Sequence, residues 1–225
     1  MAEPILQIEG VRIHAAEGRD ATHVLDWGML RGDKVRIHSE SGGSVSELLR
    51  LAAGVDHPHE GRVILGGVPI APYDLEHPFL KRGALAWIPP AGGLVVNQDL
   101  LSNVALPLRF VRGMRQKAAE DAARAALEDA GLGPLAHQRP HALEVRERWL
   151  ATLVRSWVME AELWLVDRPA AELDRRTRKS ARRILDQIAA QAETTLVVVG
   201  EGPWIPEPME SLNLENGLLV PEVLP

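Results

Sequence analysis

The chain has 225 residues, 46% of them hydrophobic and 25% charged, the make-up of an ordinary globular protein that can bury a core as one domain. Its net charge of −6 argues against a general nucleic-acid partner, because phosphate binding needs a basic face. The lack of cysteine excludes disulfides, thiolate metal sites and cysteine catalysis.

The opening MAEPILQIEG lacks the basic-then-apolar order of a signal peptide, and no apolar run nears the ~20 residues of a membrane span. The expectation is a cytoplasmic protein that can dock on the inner face of a membrane through a partner. Residues Ile5–Ile13, His23–Trp27 and Lys34–His38 read as strands. The Ser- and Gly-rich stretch Ser39–Ser44 interrupts them, and Val45–Ala53 follows with apolar residues at helical spacing, stopped by Gly54. Gly61–Ile70 predicts a hairpin turning at Gly66-Gly67, and Ala84–Ile88 a buried strand ended by Pro89-Pro90.

Asp99–Phe110, Lys117–Gly131 and Arg146–Met159 predict helices, the second rich in strong helix formers. The continuous apolar run Leu163–Asp167 (LWLVD) reads as a central parallel strand that ends in a carboxylate. A basic helix starts at Asp174, which can N-cap it, and Thr194–Val199 is another buried strand. Ser211–Leu214 and Gly217–Val220 close as a hairpin around Glu215-Asn216-Gly217. Strands separated by helices imply an α/β fold, here one domain over 1–225 with a helical subdomain at roughly 90–160.

Several segments, in order, resemble one family. LLRLAAGVDHPHEGRVILGGVPI is similar to the stretch after the phosphate loop of ABC-transporter ATPases. LLSNVALPLRF resembles the start of their helical subdomain, in subunits of lipid- and lipoprotein-handling transporters above all. RSWVMEAELWLVDRPAAELD is similar to the run from the signature helix through Walker B to the D-loop, and TTLVVVG with LNLENGLLV to the switch strand and closing hairpin. The resemblance covers almost the whole chain. It implies a P-loop NTPase-like fold with a parallel-rich core sheet, an N-terminal antiparallel β subdomain and a helical subdomain.

At the positions the resemblance gives to the chemistry, this sequence departs from the family. A Walker A loop wraps backbone N–H groups around phosphates, adds a lysine, and holds Mg2+ on a Ser or Thr. Here Ser39 and Ser44 replace the framing glycines, Gly42 and Gly43 remain, Val45 stands at the lysine position, and Glu40 and Glu47 add negative charge. No lysine occurs between Ser39 and Arg50. Ser46 is either a Mg2+ ligand or a plain helix-start serine. Asp167 matches the Walker B aspartate, but Arg168 stands where the water-polarising glutamate belongs, and a guanidinium cannot accept a proton at neutral pH. Pro90 replaces the γ-phosphate-sensing glutamine, Glu201 the switch histidine, and Leu143–Glu147 the LSGGQ signature.

These replacements predict a degenerate subunit: no catalytic residue, no metal site, a vestigial loop, weak or absent binding of ATP and Mg2+, and no enzymatic activity. The expected partners are an ABC permease or an active ATPase subunit, gripped around Trp87, Pro90, Leu101 and Leu108 in the stretch Trp87–Arg115. An atypical hydrolase and a soluble adaptor are the alternatives. The remaining features have plain readings: His57 and His59 are solvated turn residues, Arg175–Arg183 an exposed helix face, Trp87 and Trp164 buried, and Trp204 the tryptophan most open to solvent.

Overall fold

Backbone pairing sorts ten strands into two sheets in the computed structural model, which describes residues 4–13, 24–38, 42–72 and 74–222. In chain order the strands are β1 (Pro4–Val11), β2 (Leu25–Leu30), β3 (Lys34–His38), β4 (Arg62–Leu65), β5 (Val68–Pro69), β6 (Leu85–Ile88), β7 (Leu163–Val166), β8 (Thr195–Val199), β9 (Glu210–Glu215) and β10 (Leu218–Pro221). The α-helices are α1 (Gly42–Ala52), α2 (Pro78–Lys81), α3 (Leu100–Phe110), α4 (Gln116–Asp129), α5 (Val145–Trp157) and α6 (Arg175–Ala189). One sheet is antiparallel in the order β2-β1-β4-β5; the other runs β10-β9-β3-β8-β7-β6 and is parallel from β9 to β6.

The central parallel strands β7 and β8 are buried on both faces, as their apolar runs require. Period-two alternation then sends their side chains into two separate cores. Leu163, Leu165, Val197 and Val199 join β1, β3 and the apolar face of α1, whereas Trp164, Val166, Leu196 and Val198 join α3, α4, α5 and α6. The expected α/β architecture, with its antiparallel sheet and its group of helices, is the one observed.

The differences are local. Helix α1 begins at Gly42, three residues before its apolar stripe, because the stripe reports only the buried face. The one-turn helix α2 is too short to show a helical apolar period in the sequence; His77 caps it by accepting from the Phe79 N–H at 3.2 Å. The strand expected from His23 is described from Leu25 onward, and His23 itself lies outside the described residues. Trp87 is half-buried rather than enclosed.

Two polar fixtures hold the loops. The buried Asn103 side chain accepts from the Val95 N–H at 2.7 Å and donates to the carbonyls of Val95, Gln98 and Asp99, which fixes the loop entering α3. At the opposite end of the sheet, Glu162 accepts from Arg31 at 2.7 Å and from Arg82 at 3.0 and 3.1 Å. Burial pushes the Glu162 carboxyl up, but the hydrogen bonds and charges of Arg82 and Arg31 together outweigh it and hold it below its ordinary value.

Replacing Asn103 by Ala strands several backbone groups, with an expected cost of about 2 kcal/mol and a fall in Tm of roughly 4–8 °C in calorimetry. Glu162→Gln should cost less, about 1 kcal/mol, because the pair is partly solvent-screened. Since the folded-state pKa is depressed, that difference is full at neutral pH and closes as the pH falls through the carboxylate range, which chemical denaturation at several pH values measures.

Candidate functional site

In a parallel sheet, ligands gather beyond the carboxyl ends of the strands, where helix N-termini offer unpaired N–H groups. Here those ends are His38 on β3, Ile88 on β6, Val166 on β7 and Val199 on β8. The topology therefore brings four distant segments to one edge: the loop into α1, Pro89-Pro90, Asp167-Arg168 and Gly200-Glu201. Ser39 and Glu40 lie outside the described residues. Gly42, Gly43, Ser44, Val45 and Ser46 open α1.

Val45 is 0% exposed and packs in the same core cluster as Leu48 and Leu49. Its side chain belongs to the core and offers nothing to a phosphate. Ser46 and Asp167 do meet: the Ser46 side chain hydrogen-bonds the Asp167 carboxyl. Asp167, 2% exposed, also accepts from the Arg168 N–H at 2.8 Å on Oδ1. Burial pushes its carboxyl above the ordinary range, against the lowering pull of Ser46, the Arg168 N–H and the nearby guanidinium charges of Arg168 and Arg50. A hydroxyl and a carboxylate in contact at a helix N-terminus fit one Mg2+, directly or through water. No lysine stands on the loop or the first turns of α1, so the described residues fit the metal and leave the close hold on the phosphates to backbone donors.

The other segments are tied to this pair. The Asp167 carbonyl accepts from Trp149 Nε1 at 3.0 Å, which joins α5 to the end of β7. The Ala170 N–H donates to the Pro90 carbonyl at 2.9 Å, joining the loops after β6 and β7. Gly92, at φ +76, lies where a Cβ would come within 2.7 Å of the Arg148 carbonyl oxygen, so this close approach of loop to α5 requires glycine. Trp204 is 5% exposed, against the expectation of an open residue. Its ring meets Trp149 edge-on at 5.4 Å and its Nε1 donates to the Glu201 carbonyl at 2.9 Å. Proline-rich flanks suggested a surface loop; a long-range aromatic partner buried it.

At the signature position, Glu147 closes the helix start by accepting from the Glu144 N–H at 2.8 Å, while Arg146 pairs with Glu144 and reaches Asp174 at 3.3 Å. These residues thus cap α5 and link it to α6. Glu201 is mostly exposed, with its carboxylate 3.5 Å from His38 Nδ1. His38, whose Nε2 stands 3.5 Å from Glu222, was missed in the sequence; a histidine closing the strand before a Ser- and Gly-rich loop was the available signal. Of the expected partner contacts, Leu101 and Leu108 are each 6% exposed and pack inward among α4 and α5 residues, so they support the subdomain without presenting a surface. Trp87 and Pro90 are half-buried, and Val95, Val96, Phe110 and Val111 are apolar side chains open to solvent at the two ends of α3.

No family model matches the chain. The lipoprotein-releasing system ATP-binding protein LolD of Alcanivorax borkumensis is 30% identical over 200 residues, which cover 87% of each chain. LolD of Shewanella oneidensis is 28% identical over 228 residues, covering 99% of both. Among solved structures, the dimeric ATP-binding cassette MJ0796, bound to ADP and Pi, superposes with a TM-score of 0.81 at 22% identity over 95% of this chain and 96% of that one. CbiO1 of Clostridium perfringens, part of the ABC transporter complex cbiONQ, gives 0.68 at 17% identity over 97% and 87%.

These relatives overturn the expectation that the chain is not an enzyme, because similarity to ATP-binding proteins runs the length of the chain and includes every segment at the site. The physical reason is that residue types report side chains alone. Much of a phosphate loop's grip comes from backbone N–H groups at a helix N-terminus, which replacing a side chain does not remove. The chain belongs to the ABC-transporter ATP-binding family, among the relatives of LolD.

Proposed function

We propose that the chain is an atypical ATP-binding-cassette subunit of a membrane transport complex, with weak affinity for Mg-ATP on its own and a docking surface for a permease. The observation that carries this reading is the contact of Ser46 with Asp167 at the strand edge where α1 begins. It supports a retained divalent-cation position, while the burial of Val45 supports a loose hold on the phosphates. Backbone N–H groups of the first turn of α1 supply the anion contacts, and Asp167 and Ser46 orient the metal. Losing a charge-assisted hydrogen bond of about 1.5–3 kcal/mol weakens binding roughly tenfold to a hundredfold or more.

Transport enters through the relatives, whose names describe lipoprotein release and an ABC transporter complex. No helix among the described residues is long and apolar enough to cross a membrane, and we place the chain at one through a partner. The exposed Val95, Val96, Phe110 and Val111, at the two ends of α3, are the apolar side chains of the helical subdomain offered to that partner on the inner membrane face. Lipid-linked cargo is the substrate class that the LolD relatives suggest.

Calorimetric titration of the purified chain with Mg-ATP should give a dissociation constant in the millimolar range; a micromolar constant would refute the weak grip. Sedimentation of membranes from the native cells should carry the wild-type chain down. A Val96→Asp, Phe110→Asp double variant, altered only at exposed positions, should stay in the supernatant at unchanged Tm. A wild-type chain found wholly in the supernatant would favour a soluble adaptor.

A further inference from the structure

The charge of the molecule is unevenly placed. The whole chain carries −6, yet the fifteen residues of α6, RRTRKSARRILDQIA, hold six Arg and Lys against a single Asp. The buried face of the helix is Thr177, Ala181, Ile184, Leu185 and Ile188. At 100° per residue the cations fall into two sets. Arg176 and Arg183 turn towards α4, where Arg176 donates to the Gly131 carbonyl and Arg183 pairs with Asp129 at 2.5 Å. These two are structural.

The second set, Arg175, Arg178, Lys179 and Arg182, lies opposite the core and spans about 10 Å of helix. It rims a shallow, open groove of about 600 Å³ between α6 and the loop at Pro203, with Arg183 and Ala190 also among its lining residues. The aliphatic stems of these long side chains, together with Ala190 and Pro203, give the groove an apolar floor under a cationic rim. Arg178 donates to the Leu173 carbonyl at 2.9 Å, and Arg182 is engaged by Asp186 at 2.7 and 2.9 Å. Arg175 and Lys179 are exposed and take part in no hydrogen bond or ion pair among the described residues. Two uncommitted cations about one helical turn apart, over an apolar floor, make a surface without its counter-charge.

We infer that this groove is an interaction site for a short acidic segment of a partner protein that carries aliphatic side chains between its carboxylates. The cations suit the carboxylates, and the floor takes the aliphatic groups. An extended polyanion suits it less. Asp186 lines the groove but is answered by Arg182, while Glu172 lies beside it and the rest of the chain is acidic, so a bilayer or a nucleic acid is repelled beyond the groove, whereas a short segment ends before that repulsion. The groove is formed by α6 and the Pro203 loop and does not include the permease-facing surface, so its failure would leave the transport reading intact.

Fluorescence anisotropy of the full chain with a short labelled peptide of Glu and Leu tests the inference. Binding should weaken at least about tenfold when Arg175→Glu and Lys179→Glu are combined, and should fall with added salt. Arg175→Gln with Lys179→Gln, which keeps the helix free of new repulsion, should give a smaller loss in the same direction. A peptide of Glu and Gly with equal charge should bind more weakly than the Glu and Leu peptide, because it lacks groups for the floor. Arg124→Glu, on the exposed face of α4, should change nothing. No binding of the Glu and Leu peptide, equal binding of the Glu and Gly peptide, unchanged binding in the charge-altered variants, or equally tight capture by phosphatidylglycerol vesicles would overturn it.

Discussion

Strands β7 and β8 are sealed on both faces, and the placement of every other feature depends on that constraint. With Leu163 to Val166 and Leu196 to Val199 wholly enclosed, these stretches carry apolar side chains alone, and polar ones appear only at the strand ends, such as Thr195, whose buried hydroxyl donates to the Leu30 carbonyl. The first group past Val166 is therefore the Asp167 carboxyl, buried but answered by Ser46 and by its neighbour's N–H. The chemistry at the sheet edge follows from the apolarity behind it.

The edge is stiffened from the helical side by tryptophan. Trp149 binds the Asp167 carbonyl and packs against Trp204, which in turn holds the Glu201 carbonyl. One helix thereby senses both the end of β7 and the loop after β8, and its own first turn is fixed to α6 through Arg146 and Asp174. Such a chain of contacts positions the loops around Asp167 as one unit, so an apolar cluster governs the geometry of a polar site.

How much of this was legible depended on the range of the signal. LWLVD announces an enclosed strand and its terminal carboxylate in five residues, and Glu215-Asn216-Gly217 announces a turn because Asn216 and Gly217 take positive φ. Both are local. The burial of Trp204 depends on Trp149, fifty-five positions away, and no window around the Gly- and Pro-rich segment contains it. Leu101 and Leu108 read as surface contacts only while α4 was not yet packed over α3; once it is, they are core. The ordered set of motifs located the site, but each replaced side chain was weighed by itself. Backbone donors and the Ser46–Asp167 contact, which make up the rest of the site, leave little trace in residue types.

On the proposed function, Asp167 and Ser46 together hold a divalent cation when nucleotide is present. Electron paramagnetic resonance of Mn2+, a substitute for Mg2+, tests it directly on the purified chain at millimolar ATP. A protein-bound Mn2+ signal that requires ATP, and that is lost in Asp167→Asn and weakened in Ser46→Ala, is the expected result. A bound signal that persists unchanged in Asp167→Asn would contradict the claim.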